Sequence, residues 1–144
     1  MKALLDTSVL VAAMVEAHAQ HRRAQPWLRR ATAGQFDFLV AAHTLAELYA
    51  VLTALPVSPR ISPSTAGRLV QDNVLAHATI VSLTATDYAS VIRGLAEHGV
   101  SGGAVYDALI AKAAEKSAAD KLVTLNAEDF HRVWPSGVSK LTVP

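Results

Sequence analysis

The sequence predicts an α/β fold in which helices cover both faces of a parallel sheet. Short apolar strand candidates alternate with helical segments, and crossovers of this kind place successive strands parallel in one sheet. The chain has 144 residues, which is enough for one buried core. Its composition, 51% hydrophobic and only 17% charged, excludes a disordered chain. We therefore expect a single domain that spans residues 1–144.

The first half of the chain contains two predicted strands and three predicted helices. A hydroxyl at Thr7 or Ser8 is expected to cap the first helix. Gly34 ends the second helix and Pro56 ends the third. In order, the predicted elements are a strand over Ala3–Leu5, helices over Ser8–Glu16 and His21–Thr32, a strand over Phe38–Ala41 and a helix over Thr44–Leu55.

The second half continues the alternation after a loop that holds three prolines between Pro56 and Pro63. The β-branched run Thr79–Leu83 is typical of a strand, and Thr84 or Thr86 is expected to cap the next helix. The predicted elements are a helix from Ser64 to about His77, the strand Thr79–Leu83, a helix to about His98, an alanine-rich helix over Ala104–Ala118, a strand over Lys121–Leu125, a helical turn over Ala127–Phe130 and a last strand over Lys140–Val143.

Composition and charge exclude several classes of protein. The chain has no cysteine, which rules out disulfide scaffolds, thiolate zinc sites, iron–sulfur clusters and cysteine nucleophiles. Its net charge of +1 provides no general basic coat for nucleic acid. The apolar start of the chain resembles a secretory signal, but Asp6 interrupts it, and no run approaches the length of a membrane span. We expect a cytoplasmic protein without a membrane segment.

Three carboxylates stand isolated among apolar or small residues. The helices that bear Glu47 and Asp107 offer no cation at the helical spacing that would neutralise them. If the three carboxylates converge, two charges about 5 Å apart cost roughly 3 kcal/mol at an effective dielectric constant of ~20. A divalent cation removes this cost, and hard oxygen ligands select Mg²⁺ or Mn²⁺ over zinc. Asp6 is alone between Lys2 and Glu16, Glu47 between Asp37 and Arg60, and Asp107 between Glu97 and Lys112.

The fold class says where such a site would lie. In open parallel sheets, ligands bind in the crevice beyond the carboxyl ends of the strands. Asp6 follows the first predicted strand, and a fourth candidate lies after the fourth strand, at Asn126 or Asp129. Each residue also has a purely structural explanation: Asp6 and Asn126 as helix caps, Asp107 as a first-turn acid favoured by the helix dipole, and Glu47 as a surface residue.

Four short motifs resemble those of the PIN-domain ribonucleases, and specifically the VapC-type toxins of toxin–antitoxin pairs. Each motif is weak alone, but their order, spacing and the total length are together fairly specific. The resemblance runs through nearly the whole chain. The motifs are Leu4-Leu5-Asp6-Thr7-Ser8, Leu45-Ala46-Glu47-Leu48, Tyr106-Asp107-Ala108-Leu109-Ile110-Ala111 after a glycine turn, and Leu122-Val123-Thr124-Leu125-Asn126 with Asp129-Phe130.

This resemblance implies a three-layer α/β/α sandwich with a mostly parallel sheet, and an endoribonuclease that depends on Mg²⁺ or Mn²⁺. It implies cleavage of tRNA or rRNA with inhibition of translation, a cognate antitoxin that occupies the active site, and a homodimer. Asp6, Glu47 and Asp107 become the first three acids. Many relatives have Asp where this chain has Asn126, so that either Asp129 supplies the fourth carboxylate or Asn126 binds as a neutral oxygen donor.

Other residues are assigned supporting roles around the acids. The hydroxyls of Thr7, Ser8 and Thr124 are expected to position water or to orient the acids. His43 lies near Glu47 in sequence, and we do not expect it to be catalytic. The candidates for RNA phosphate contacts form one basic run, although a solvated helix face explains that run equally well: Arg22, Arg23, Arg29 and Arg30.

Two alternatives from other classes remain open at this stage. One is a receiver-like signalling domain, which also has an acidic Mg²⁺-binding crevice. It requires adjacent acids after the first strand, whereas Asp6 is followed by Thr7. The other is a catalytically silent module that keeps the fold and acts only through protein contacts. Its dimer or partner surface would be formed by the charge-poor helices Thr44–Leu55 and Ser64–His77.

Overall fold

The fold consists of five strands and seven α-helices that alternate along the chain. It is described by a computed structural model that covers all 144 residues. The strands are β1 (Lys2–Leu5), β2 (Asp37–Ala41), β3 (Thr79–Val81), β4 (Lys121–Val123) and β5 (Leu141–Thr142). The helices are α1 (Thr7–Met14), α2 (His21–Thr32), α3 (Ala42–Ala54), α4 (Pro63–Val70), α5 (Ala85–Glu97), α6 (Ala104–Lys116) and α7 (Ala127–Val133). A π-helical turn over Gln71–Leu75 follows α4, and a 3-10 helix over Pro135–Lys140 precedes β5.

All five strands belong to one parallel sheet in the order β3-β2-β1-β4-β5. Leu4 in the central strand is paired with Leu39 on one side and Leu122 on the other. This order differs from the 2-1-3-4-5 order of receiver domains, which excludes the receiver-like alternative. The predicted α/β fold is confirmed, and the sheet is wholly rather than mostly parallel.

The helices form two layers because alternate residues of a strand point to opposite faces of the sheet. Ala3 and Leu5 pack into a core beneath α1, α2, α3 and α4, whereas Leu4 packs into a second core beneath α6 and α7. Helix α5 lies outside α6, which it contacts, and buries none of its own residues. The result is the three-layer α/β/α sandwich.

Local sequence signals explain most helix boundaries, but several bounds differ from the prediction. Helix α1 ends at Met14 rather than Glu16, and strands β3 and β4 end two residues earlier than predicted, at Val81 and Val123. Asp6, not Thr7 or Ser8, caps α1, because its carboxylate accepts a hydrogen bond from the Thr7 amide. The α-helix that starts at Pro63 ends at Val70 rather than near His77 and continues as the π-helical turn, in which Val74 is buried. Thr84, not Thr86, caps α5 in a reciprocal capping box with Asp87. No helix has both the length and the apolarity that crossing a membrane would require.

Candidate active site

The predicted acids meet where the strands end. The amide of Asp6, directly after β1, donates to the carbonyl of Val123 in β4 (2.9 Å), which holds the ends of these two strands together. Thr124 follows β4 and is fully buried. Helix α3 begins directly after β2 and carries Glu47 in its second turn, and the first turn of α6 carries Asp107. The crevice is therefore built from four separate segments of the chain.

Asp6 is buried, at 4% exposure, and is held by three hydrogen bonds. Its Oδ1 accepts from the Thr7 amide (2.7 Å), and its Oδ2 accepts from the hydroxyls of Ser8 (2.8 Å) and Thr124 (2.7 Å). Burial raises the pKa of Asp6 above its usual value, and these hydrogen bonds oppose that rise by favouring the charged form. The cap explanation is correct, because Oδ1 caps α1, and the same oxygen still has one unused lone pair for another ligand.

Glu47 lies on the face of α3 that is directed at α1. The Thr7 hydroxyl lies 3.1 Å from Glu47 Oε1 and donates to it, and the same hydroxyl is 3.3 Å from that of Thr44. The His43 ring is 3.7 Å away, measured from Nε2 to Glu47 Oε1. Burial raises the pKa of Glu47, His43 and the Thr7 hydrogen bond lower it, and the negative charge of Asp6 raises it. Glu47 is thus neither a free surface residue nor part of a full ion pair.

Asp107 is the least supported of the acids, since its carboxylate accepts no hydrogen bond from the protein. Burial, and to a smaller extent the negative charges of Asp6, Asp129 and Glu47, together raise its pKa to about 6. That Asp107 senses all three of these charges places the four acids in one neighbourhood. The four acids are therefore close enough to interact electrostatically, and their convergence on one metal ion stays a prediction.

No lysine or arginine forms an ion pair with any of the four acids. As the side chains stand, no group of three or more His, Asp or Glu residues is arranged to hold a metal ion. The donors nevertheless suit a hard divalent cation, because they are carboxylate oxygens whose mutual repulsion no lysine or arginine neutralises. Glu47, which accepts one hydrogen bond, and Asp107, which accepts none, are held less tightly than Asp6.

Two exposed residues at the start of α7 are the candidates for the fourth ligand position. Asn126 occupies the N-cap position, yet its side chain makes no capping hydrogen bond and is free for another ligand. Asp129 lies in the first turn of α7, with its amide bonded to the Asn126 carbonyl (3.0 Å). The negative charge of Asp129 raises the pKa of Asp107, whereas Asn126 lines the cavity next to Thr7 and Ser8.

The three predicted hydroxyls form one network with the acids. Ser8 and Thr124 hold Asp6 and lie 3.4 Å from each other, and Thr7 holds Glu47. The network extends into the backbone, because the Leu125 amide donates to Ser8 Oγ (3.1 Å) and the Asn126 amide to Thr124 Oγ1 (3.0 Å). These hydroxyls orient the acids and also fix the loop that follows β4.

The four arginines of α2 do not gather at the site. Only Arg23 lies beside it, in a cavity of about 470 Å³ that Thr7, Ser8 and Asn126 also line. Arg29 lines a different cavity, with Met14 and Leu69 among its neighbours. Arg30 lies over the rings of Trp27 and Phe36, and Arg22 is exposed without a side-chain partner. A helix spreads consecutive side chains around its axis, so a basic run cannot face one crevice.

The structure gives His43 an aromatic partner that sequence reasoning did not identify. The His43 ring stacks on the ring of Tyr106, with centroids 5.0 Å apart and an interplanar angle of 3°. His43 Nε2 is buried and has no hydrogen-bond partner. The available signals were the spacing of four residues between His43 and Glu47, which places both on one helix face, and the position of Tyr106 directly before Asp107.

Comparisons with known proteins agree with this geometry. Residues 3–134 match the model of the family described as PIN domain. Ribonuclease VapC27 of Mycobacterium tuberculosis is 37% identical over 116 residues, which cover 81% of this chain and 79% of the relative. Ribonuclease VapC40 of the same organism is 39% identical over 119 residues, or 83% of this chain and 82% of the relative.

Solved structures share the fold at lower identity. VapBC2 from Rickettsia felis, bound to a DNA fragment from its promoter, superposes with a TM-score of 0.67 at 22% identity and covers 100% of this chain and 99% of that one. VapC20 of M. tuberculosis, a sarcin–ricin loop cleaving toxin, gives 0.64 at 16% identity, covering 83% and 86%. FitAcB from Neisseria gonorrhoeae gives 0.63 at 19%, covering 98% and 95%. The chain therefore belongs to the PIN-domain family, in its VapC branch.

Proposed function

We propose that this chain is the toxin of a toxin–antitoxin pair, an endoribonuclease that depends on Mg²⁺ or Mn²⁺ and inhibits translation by cleaving tRNA or rRNA. The support from relatives is that two proteins at 37% and 39% identity, each aligned over about four fifths of this chain, are named ribonucleases. The support from the site is the observation that four neighbouring acids at the carboxyl edge of the sheet have no lysine or arginine partner.

In this proposal, Asp6, Glu47 and Asp107 hold the divalent ion, and Asp129 or Asn126 completes its ligands. When bound, such an ion supplies Lewis-acid activation of water and stabilises charge on the oxygens of the phosphodiester. The protein's own contribution is positional. Ser8 and Thr124 keep Asp6 in one rotamer, and Thr7 keeps Glu47 aimed at the crevice. Arg23, beside Thr7 and Ser8, is the arginine placed to contact an RNA phosphate.

The first experiment compares the wild type with Asp6→Asn on total tRNA and rRNA. We expect cleavage with Mn²⁺ or Mg²⁺, none in EDTA, and a loss of about 100- to 1000-fold in the variant, because loss of this ligand removes several kcal/mol of transition-state stabilisation. Asp87→Asn is the matched control, since Asp87 is an aspartate on α5 that pairs with Lys116 outside the crevice. If a folded wild type fails to cleave with either metal, the catalytically silent module becomes the better description.

The fourth ligand is decided by a pair of variants. With Asp129 as the ligand, Asp129→Asn should abolish cleavage while Asn126→Ala changes it little. With Asn126 as the ligand, the order of the two losses is reversed. Circular dichroism spectra of both variants should match the wild type, since both residues are exposed.

The partners in this proposal are an antitoxin and a second copy of the chain. Expression of the toxin alone should arrest growth, and co-expression of the protein encoded beside it should restore growth. The exposed face of α5 is a candidate for the homodimer contact, because Tyr88 and Ile92 are 40% and 57% exposed and no residue of the helix is buried. Analytical ultracentrifugation of the wild type and Ile92→Lys tests this contact.

A further inference from the structure

We propose that Tyr106, backed by His43, is a stacking platform for the nucleobase next to the scissile phosphate. This inference rests on the proposed ribonuclease function and adds a substrate requirement to it. The RNA must present an unpaired, unstacked nucleotide at the cleavage position, as in a loop or a single strand.

The Tyr106 ring is exposed to solvent on α6 and is supported by the His43 ring. Tyr106 is 49% exposed, although its two neighbours in α6, Val105 and Asp107, are half-buried. One face of its ring is covered by the nearly parallel ring of His43. An aromatic ring backed on one face and open on the other is the arrangement on which unpaired bases stack, and stacking tolerates any base because every base has a π-face.

The aromatic pair of Tyr106 and His43 lies directly beside two of the acids. Tyr106 directly precedes Asp107, and His43 lies one helical turn, about 6 Å along the axis, before Glu47. The aromatic pair therefore bridges α3 and α6 at the two acids themselves. His43 Nε2 lies 3.7 Å from Glu47 Oε1, so that a single imidazole contacts both the platform and an acid. The distance between a stacked base and the acids is thereby set by packed side chains.

The opposite side of the acids supplies the rest of a path for RNA. Val51 follows Glu47 by one turn of α3, and Leu55 follows directly after the end of the helix. Val51 and Leu55 line the cavity that contains Arg23. Along α3, the order is therefore aromatic platform, acids, and a cavity with a cation. This order suits a strand whose base stacks on Tyr106, whose scissile phosphate lies at the acids, and whose next phosphate is near Arg23.

The test is a chemical double-mutant cycle. The cleaved bond is first mapped by primer extension on total tRNA and rRNA. Short RNAs that span the bond are then made with an abasic nucleotide at each flanking position in turn. The value of kcat/KM is measured for the wild type, Tyr106→Phe and Tyr106→Leu. Tyr49→Leu is the control, because Tyr49 is another exposed tyrosine that lies two residues after Glu47 and therefore on a different face of α3.

On the intact RNA, Tyr106→Leu should lower kcat/KM by roughly 5- to 150-fold, the range for one stacked base, whereas Tyr106→Phe and Tyr49→Leu should stay within about threefold of the wild type. At one flanking position, the abasic nucleotide should lower kcat/KM by a similar factor for the wild type and Tyr106→Phe. For Tyr106→Leu, it should leave kcat/KM almost unchanged. His43→Phe should keep this coupling, and His43→Ala should weaken it.

The outcomes separate this inference from the function on which it rests. A wild type that cleaves RNA but shows no coupling between Tyr106 and either flanking base refutes the platform and leaves the ribonuclease intact. A loss in Tyr106→Leu that is equal for intact and abasic RNAs also refutes it, since that result indicates a structural role. A wild type that cleaves no RNA overturns both proposals.

Discussion

Replacing Asp107 with asparagine should stabilise the protein in the absence of metal. The pKa of Asp107 is raised from 3.8 to about 6 by burial and by the charges of Asp6, Asp129 and Glu47. An acid with that pKa in the folded state lowers the free energy of unfolding by about 3 kcal/mol once both states are ionised. Because the carboxylate accepts no hydrogen bond from the protein, Asp107→Asn removes the repulsion without breaking a bond.

The expected gain in the free energy of unfolding is smaller than about 3 kcal/mol. The carboxylate is partly solvated, which screens its interactions, and its place in the first turn of α6 provides a favourable helix-dipole interaction of about 0.3–1 kcal/mol that asparagine loses. We therefore expect a net gain of about 1–2 kcal/mol at pH 7.5. For a chain of this length, that corresponds to an increase in Tm of roughly 3–6 °C.

The pH dependence has a definite sign. The folded state binds the Asp107 proton more tightly than the unfolded state does, so this acid causes stability to fall as the pH rises from 3.8 through about 6. The advantage of Asp107→Asn should be absent at pH 3.5, grow through pH 5 and be complete above pH 7. Asp87→Asn is a control of opposite sign, because the hydrogen bond from Lys116 lowers the pKa of Asp87 to about 2 and its charge therefore stabilises the fold.

The assay is urea denaturation, monitored by circular dichroism, in EDTA and then in MnCl₂. Metal should reverse the order of stability, because the wild type gains about 2.7 kcal/mol at a free ion concentration of 100 times Kd and the variant gains less. If Asp107→Asn is no more stable than the wild type in EDTA at pH 7.5, the four acids do not repel one another as the geometry implies, and the argument for a cation fails.

Three further predictions concern the supports of the site and the core. Thr124→Val should lower stability by about 1–3 kcal/mol in urea denaturation, because the buried hydroxyl serves both Asp6 and the Asn126 amide; an unchanged midpoint would contradict the network. Phe130→Ala should cost about 3–5 kcal/mol, since this ring is fully buried beneath the sheet; calorimetry measures it, and a loss under 1 kcal/mol would mean that the second core is poorly packed. Lys116→Met should raise the pKa of Asp87 towards its usual value, which NMR titration of the carboxyl reports; an unchanged titration would show that the ion pair does not form in solution.

The fold class and the first three acids could be predicted from the sequence because their signals are local. Strand and helix alternation, capping residues and prolines act within a few residues, and they place Asp6, Glu47 and Asp107 at element ends or first turns. The isolation of these carboxylates from cations is also a local property. Together with the order of the motifs, these signals were enough to indicate the PIN-domain family that the comparisons confirm.

Contacts between distant segments decided the rest. Which arginine faces the crevice depends on how α2 is rotated against α1, and the stacking of His43 on Tyr106 depends on how closely α3 approaches α6. Asp6 serves as cap and acid together only because β4 brings Thr124 to it. The sequence alone determined the layered fold and the acidic residues, since each element carries its own pattern. Only the tertiary structure decided which side chains share the crevice, because packing between elements sets their rotation and distance.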